Sequence, residues 1–138
     1  MKTRYEDGYI NGKGVKPATI DEMIGVEMVS VVHNMERGEL VFTDTYGTRY
    51  IFYHEQDCCE SVSIDDICGD LNDLTGTPLV QAECVSNDGG DYRPDEYTDS
   101  WTWTFYKFAT MKGYVTVKWL GVSNGYYSEG VSFRIEEP

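Results

Sequence analysis

The sequence predicts an α+β domain: a twisted antiparallel sheet of about six or seven strands, with one short helix, about residues 63–75, on one face. Three observations predict it. Short runs rich in β-branched and aromatic residues recur between Gly- and Asn-containing turns. One stretch alone carries apolar residues at helical spacing. Hydrophobic residues make up 41% of the 138 positions, enough for a core of domain size.

Residues 1–18 read as a flexible N-terminal arm, and residues 19–138 as a single domain. The arm holds Lys2, Arg4, Lys13 and Lys16 among glycines, with no apolar repeat. It reads either as a frayed terminus or as a segment that packs on a neighbouring acidic copy. Thr19 is placed to cap a helical turn over 19–24. Val26 to His33, Leu40 to Phe42 and Arg49 to His54 follow as a meander, turning at Arg37-Gly38 and Tyr46-Gly47. Ile64, Ile67, Leu71 and Leu74 then recur at intervals of three and four, with Ser63 as N-cap and Gly76 and Pro78 as stop signals. Leu79 to Val85 is a strand, and Ser86 to Ser100 an acidic loop. Trp101 to Met111 and Tyr114 to Val122 form a long hairpin about Lys112-Gly113. Ser123-Asn124-Gly125 turns into a last strand, Ser128 to Ile135.

Both faces of the long hairpin carry large apolar groups. Trp101, Trp103 and Phe105 share one face, while Tyr106 and Phe108 share the other. An antiparallel sheet open to water on one side alternates apolar with polar. The second face is therefore covered by other parts of the chain or used as a contact surface.

Charge narrows the function classes. Eleven Lys and Arg face 24 Asp and Glu, for a net charge of −13. Without the first 18 residues the balance is seven against 22, or −15. A general binder of nucleic acid or of anionic membrane needs the opposite sign. No apolar run reaches the length of a membrane span. The polar, Gly-rich start lacks the pattern of a secretory leader, so a cytoplasmic protein is expected, with Cys58, Cys59, Cys68 and Cys84 as reduced thiols.

The densest group of reactive residue types is His54, Glu55, Asp57, Cys58, Cys59 and Glu60. His and Cys are zinc and iron ligands, but no Cys-x-x-Cys spacing is present, and Cys68 and Cys84 join a tetrahedral set only through the fold. A thiol nucleophile with His54 as base is a second reading. Small thiols beside a polar bend are a third. The acids Asp88, Asp91, Asp95, Glu96 and Asp99 do not follow a calcium-loop pattern. No phosphate loop, serine elbow or dinucleotide fingerprint occurs, so no cofactor is expected, and the weight shifts from enzyme to binding protein.

Two stretches carry a family resemblance. Residues 53–62, Tyr-His-Glu-Gln-Asp-Cys-Cys-Glu-Ser-Val, form the first. The second, within 104–131, rests on Thr104 to Thr110, Gly113 and Ser123-Asn124-Gly125-Tyr126-Tyr127-Ser128-Glu129-Gly130-Val131. Together they resemble an uncharacterised family of small acidic proteins encoded by bacteriophages and prophage-bearing bacteria. The resemblance implies a phage setting in a bacterial host cell and no specific activity. The leading expectation is a phage accessory protein that inhibits a bacterial immune nucleoprotein, such as a CRISPR effector, by occupying its basic surface. Trp101, Trp103 and Phe105, with Asp88, Asp91, Asp95, Glu96 and Asp99, are the expected contact residues. The same patch would also serve to pair two copies. The alternatives are a small-ligand binder, such as a sponge for a nucleotide signal, using Asn124, Tyr126, Tyr127 and Glu129 with a basic pocket from Arg49, Lys107 and Lys118; and a metal or thiol site at His54, Cys58 and Cys59.

Overall fold

A computed structural model describes residues 2–6, 8–10, 13–14, 16–88, 94–95 and 98–138. Its strands are β1 (Lys2–Tyr5), β2 (Tyr9–Ile10), β3 (Lys13–Gly14), β4 (Met28–Asn34), β5 (Glu39–Asp44), β6 (Arg49–Tyr53), β7 (Ser61–Cys68), β8 (Gln81–Asp88), β9 (Ser100–Thr110), β10 (Gly113–Ser123) and β11 (Ser132–Glu137). Single 3-10 turns at Ile20–Met23 and Leu71–Leu74 are the helical elements among the described residues. No helix among the described residues is long and apolar enough to cross a membrane.

The strands form two antiparallel sheets, in the order β1-β11-β6-β5-β4 and β7-β10-β9-β8, with β2 and β3 as a separate ribbon. Alternation explains the layering. Leu40, Phe42, Tyr50, Phe52 and Phe133 project from one sheet, and Tyr106, Phe108, Val115, Val117 and Trp119 from the other, into one buried cluster. Ring centroids of Phe42 and Phe108 lie 4.8 Å apart, and those of Phe52 and Tyr106 4.7 Å. Full burial of each such ring stabilises by roughly 2–3 kcal/mol, against about 0–1 for a surface ion pair, so this centre holds the sheets together.

The antiparallel architecture with a small helical complement agrees with the sequence reading, and the β4-β5-β6 meander and the β9-β10 hairpin lie where they were expected. The arrangement differs in two respects. The strands divide into two sheets, so the face of the hairpin bearing Tyr106 and Phe108 is covered by the five-stranded sheet. The expected helix over 63–75 is instead β7 followed by a 3-10 turn. Beside β10, Lys118 pairs with Asp66 and Trp119 with Ile64, leaving Asp65 as a bulge. The inward residues Val62, Ile64 and Ile67 are thereby spaced two and then three apart, and Leu71 and Leu74 extend the false helical period. The cap of the turn is Asp70, whose carboxylate accepts from the Asn72 amide at 2.9 Å, in place of Ser63.

The N-terminal segment is also tied to the domain. β1 pairs along β11. The buried Arg4 guanidinium donates to both carboxylate oxygens of Glu22, at 2.8 and 3.1 Å, and to the Pro17 carbonyl. This hydrogen-bonded pair holds the Glu22 carboxyl below the usual carboxylate range and raises Arg4.

Candidate functional site

Strand direction brings three loops to one end of the sandwich. β6 ends and β11 begins there, since Tyr53 pairs with Ser132. In the other sheet β9 begins beside the end of β10, at Ser100 and Ser123, and beside the end of β8, at Thr102 and Asp88. The loops 54–60 and 124–131 therefore cross between the sheets at this end, and the end of β8 and the start of β9 lie beside them. Both stretches that carry the sequence resemblance have segments here. Function concentrates on loops because a rigid scaffold positions them while they remain accessible.

Loop 54–60 is organised about one buried carboxylate. Glu60 accepts from the Cys58 amide at 2.8 Å, the Asp57 amide at 2.9 Å, Gln56 Nε2 at 3.2 Å and His54 Nε2 at 2.8 Å. Its side chain is 0% exposed. The Cys58 amide is the largest cause holding the Glu60 carboxyl at about 2, aided by His54 and Asp57 and opposed by desolvation. The Nδ1 side of His54 meets the Gly130 carbonyl at 2.8 Å, tying this loop to the second crossover. Glu55 and Asp57 are exposed.

Loop 124–131 is held by its own side chains. Ser123 Oγ accepts from the Gly125 amide, and Asn124 Oδ1 from the Tyr126 amide at 3.1 Å. The ring of Tyr126 stands 88% exposed at the tip. Glu129 turns back over the sheet end and accepts hydrogen bonds from Thr102 Oγ1 at 2.8 Å, from Ser123 Oγ and from Ser100. Burial pushes its carboxyl up, but the three hydroxyl donors outweigh this and leave it below the usual range. Gly121 makes the close seat possible: a Cβ there would stand 2.2 Å from the Glu129 carbonyl oxygen.

Between these loops lies an open cleft of about 690 Å³, lined by Trp101, Tyr127, Asp99, Glu129, Ser86 and Ser128 among others. It unites residues that the sequence reading kept in two groups, one expected for protein contact and one in the Asn-Gly-Tyr-Tyr turn. A smaller concavity beside it is lined by Cys59, Asn124 and the shared Asp99.

Trp101, Trp103 and Phe105 do share a face of β9, directed away from the core, but unequally. Trp103 is only 6% exposed and lies beneath Lys118, whose Nζ is 4.2 Å from the ring centroid. Pro94 and Leu120 line the same spot. Trp101 and Phe105 are half-buried. Asp95 and Asp99 are exposed, whereas Asp91 and Glu96, and the Asp88 side chain, lie outside the described residues.

Other expectations are corrected. Cys58 and Cys59 are joined as a disulfide, so the reading of four reduced thiols holds only for Cys68 and Cys84. These two lie on β7 and β8, the opposite edges of the four-stranded sheet, so they cannot complete a ligand set with loop 54–60. Both ring nitrogens of His54 are engaged, and no group of three metal-ligating side chains occurs among the described residues. Arg49, Lys107 and Lys118 form no common pocket: Arg49 lies in the other sheet, paired with Glu136, while Lys118 pairs with Asp65.

Sequence reasoning missed Ser100, Thr102 and Gly121, which together with Ser123 of the Asn-Gly-Tyr-Tyr turn seat Glu129. Gly121 alone carried a signal, as a glycine inside an otherwise bulky strand. One known family matches the chain: the domain of unknown function DUF7448, over residues 19–133. None of the curated proteins and none of the solved structures matches it.

Proposed function

The chain belongs to the DUF7448 family, and from that premise we propose that it is a binding protein, without catalytic chemistry of its own, whose loop end docks on a basic protein surface. One observation carries the reading. The described residues of the three loops bring Glu55, Asp57, Asp95, Asp99 and Glu129 to one end, together with Tyr126 and Tyr127, and include no Lys or Arg; Arg93 lies outside the described residues. Aromatic anchors supply buried area on binding, and a field of one sign steers a partner of the other sign.

The resemblance of residues 53–62 and 104–131 to phage-encoded proteins supports the setting: a phage accessory protein in the bacterial host cell. The partner is then a host protein with a basic surface, such as an immune nucleoprotein of the CRISPR effector type, whose nucleic-acid groove the acidic end occupies. The nucleotide-sponge alternative is disfavoured, because carboxylates line the cleft and the three candidate cations are dispersed.

A plating assay tests the reading. Expression of the chain in a strain with an active nucleic-acid-targeting immune system is expected to restore phage growth, and the purified effector to bind it with an affinity that falls as salt rises. Unchanged plating together with no binding to the effector at low salt overturns the proposal.

A further inference from the structure

We infer that the cleft beside Glu129 takes an arginine side chain of the partner in preference to lysine. The inference rests on the basic-partner reading and names the group recognised. Trp101 and Tyr127 are the aromatic residues that line the cleft, and Asp99 and Glu129 are its carboxylate residues. Glu129 is already oriented, because Thr102, Ser123 and Ser100 hold it in place and in the ionised form. A carboxylate has about four acceptor positions, so three hydroxyl donors leave one open, and exposed Asp99 adds its own.

A planar guanidinium stacks on a ring and donates from its edge to a carboxylate in the same pose. A lysine ammonium is a compact point charge that does the second but stacks poorly. Ser86 and Ser128 line the same cleft, and a serine hydroxyl has two acceptor lone pairs. The volume of about 690 Å³ exceeds that of one side chain, so residues flanking the arginine enter with it. Among the described residues that line the cleft, an anionic ligand meets like charge from Asp99 and Glu129 and no Lys or Arg.

Three blocked hexapeptides alternating glycine with arginine, lysine or citrulline are titrated into the full chain by calorimetry. The Gly125 and Gly130 amides are followed in parallel by NMR. The arginine peptide is expected to bind about tenfold or more tighter than the lysine peptide and to shift both amides. Citrulline, isosteric and uncharged, is expected not to bind. Trp101→Leu is expected to reduce the arginine peptide to the level of the lysine peptide, and Asp99→Asn to weaken both. Equal binding of arginine and lysine overturns the inference and leaves the basic-partner reading standing. Citrulline binding as tightly as arginine overturns it too, since charge would then play no part. If no peptide binds, this inference fails, while binding of the intact effector still decides the broader reading separately.

Discussion

Glu60 is a buried carboxylate that organises its loop through donors from four residues, and this gives it a pH signature. Its folded pKa of about 2 lies below an unfolded value of about 4.3. Depression of this kind contributes stability that is fully present above the unfolded value and is lost as pH falls from about 4.3 toward 2. Glu60→Gln removes the charge while keeping the shape. Its urea midpoint is expected to lie below that of the native chain at pH 6, and the gap to narrow between pH 4.3 and pH 2. A parallel pair of pH curves would show that Glu60 is not the group responsible. Gly121 is governed by contact instead of charge. Gly121→Ala places a carbon within 2.2 Å of the Glu129 carbonyl, so the second crossover must lift. A loss of about 1–3 kcal/mol is expected by chemical denaturation, with displaced Gly130 and Ser123 amide resonances.

At the scale of elements, β7 shows how a strand can read as a helix. Asp65 is the extra residue of a bulge, and without it Val62, Ile64 and Ile67 would alternate strictly with Ser63 and Asp66. Deleting Asp65 is therefore expected to leave the fold intact at a cost of order 1 kcal/mol. Deleting Ser63 puts residues on one side of the cut out of phase with β10 and is expected to cost several times more. In a helix the two deletions would be about equally disruptive, so a thermal melt of each settles the element type. The meander and the β9-β10 hairpin were legible because their turns and alternation are local. The division into two sheets was not, since β6 passes to β7 and β10 to β11 through loops whose sequence does not state which sheet comes next. The site was half legible: the composition of 54–60 and 124–131 marked both segments, but the His54–Gly130 contact that joins them spans 76 positions.

For the molecule as a whole, the family match begins at Thr19, while the structure also builds β1 onto the sheet edge. A chain starting at Thr19 loses the Arg4–Glu22 pair, which is partly screened by solvent, and bares the edge of β11. It is expected to fold, to lose about 2 kcal/mol in urea denaturation, and to self-associate in size-exclusion chromatography through the bared edge. A monomeric truncation of native stability would show that β1 adds nothing. Cys68 and Cys84, the two free thiols, have a practical consequence. They stand on opposite edges of the four-stranded sheet, three strand spacings or about 14 Å apart. Cys68 is raised by its hydrogen bond to Asp66, and Cys84 by burial, so both are expected to react slowly with a thiol reagent at neutral pH and faster in alkali. Spin labels attached there form a built-in ruler across the sheet, and its reading would report directly whether a docked partner flattens or further coils the scaffold beneath the loops.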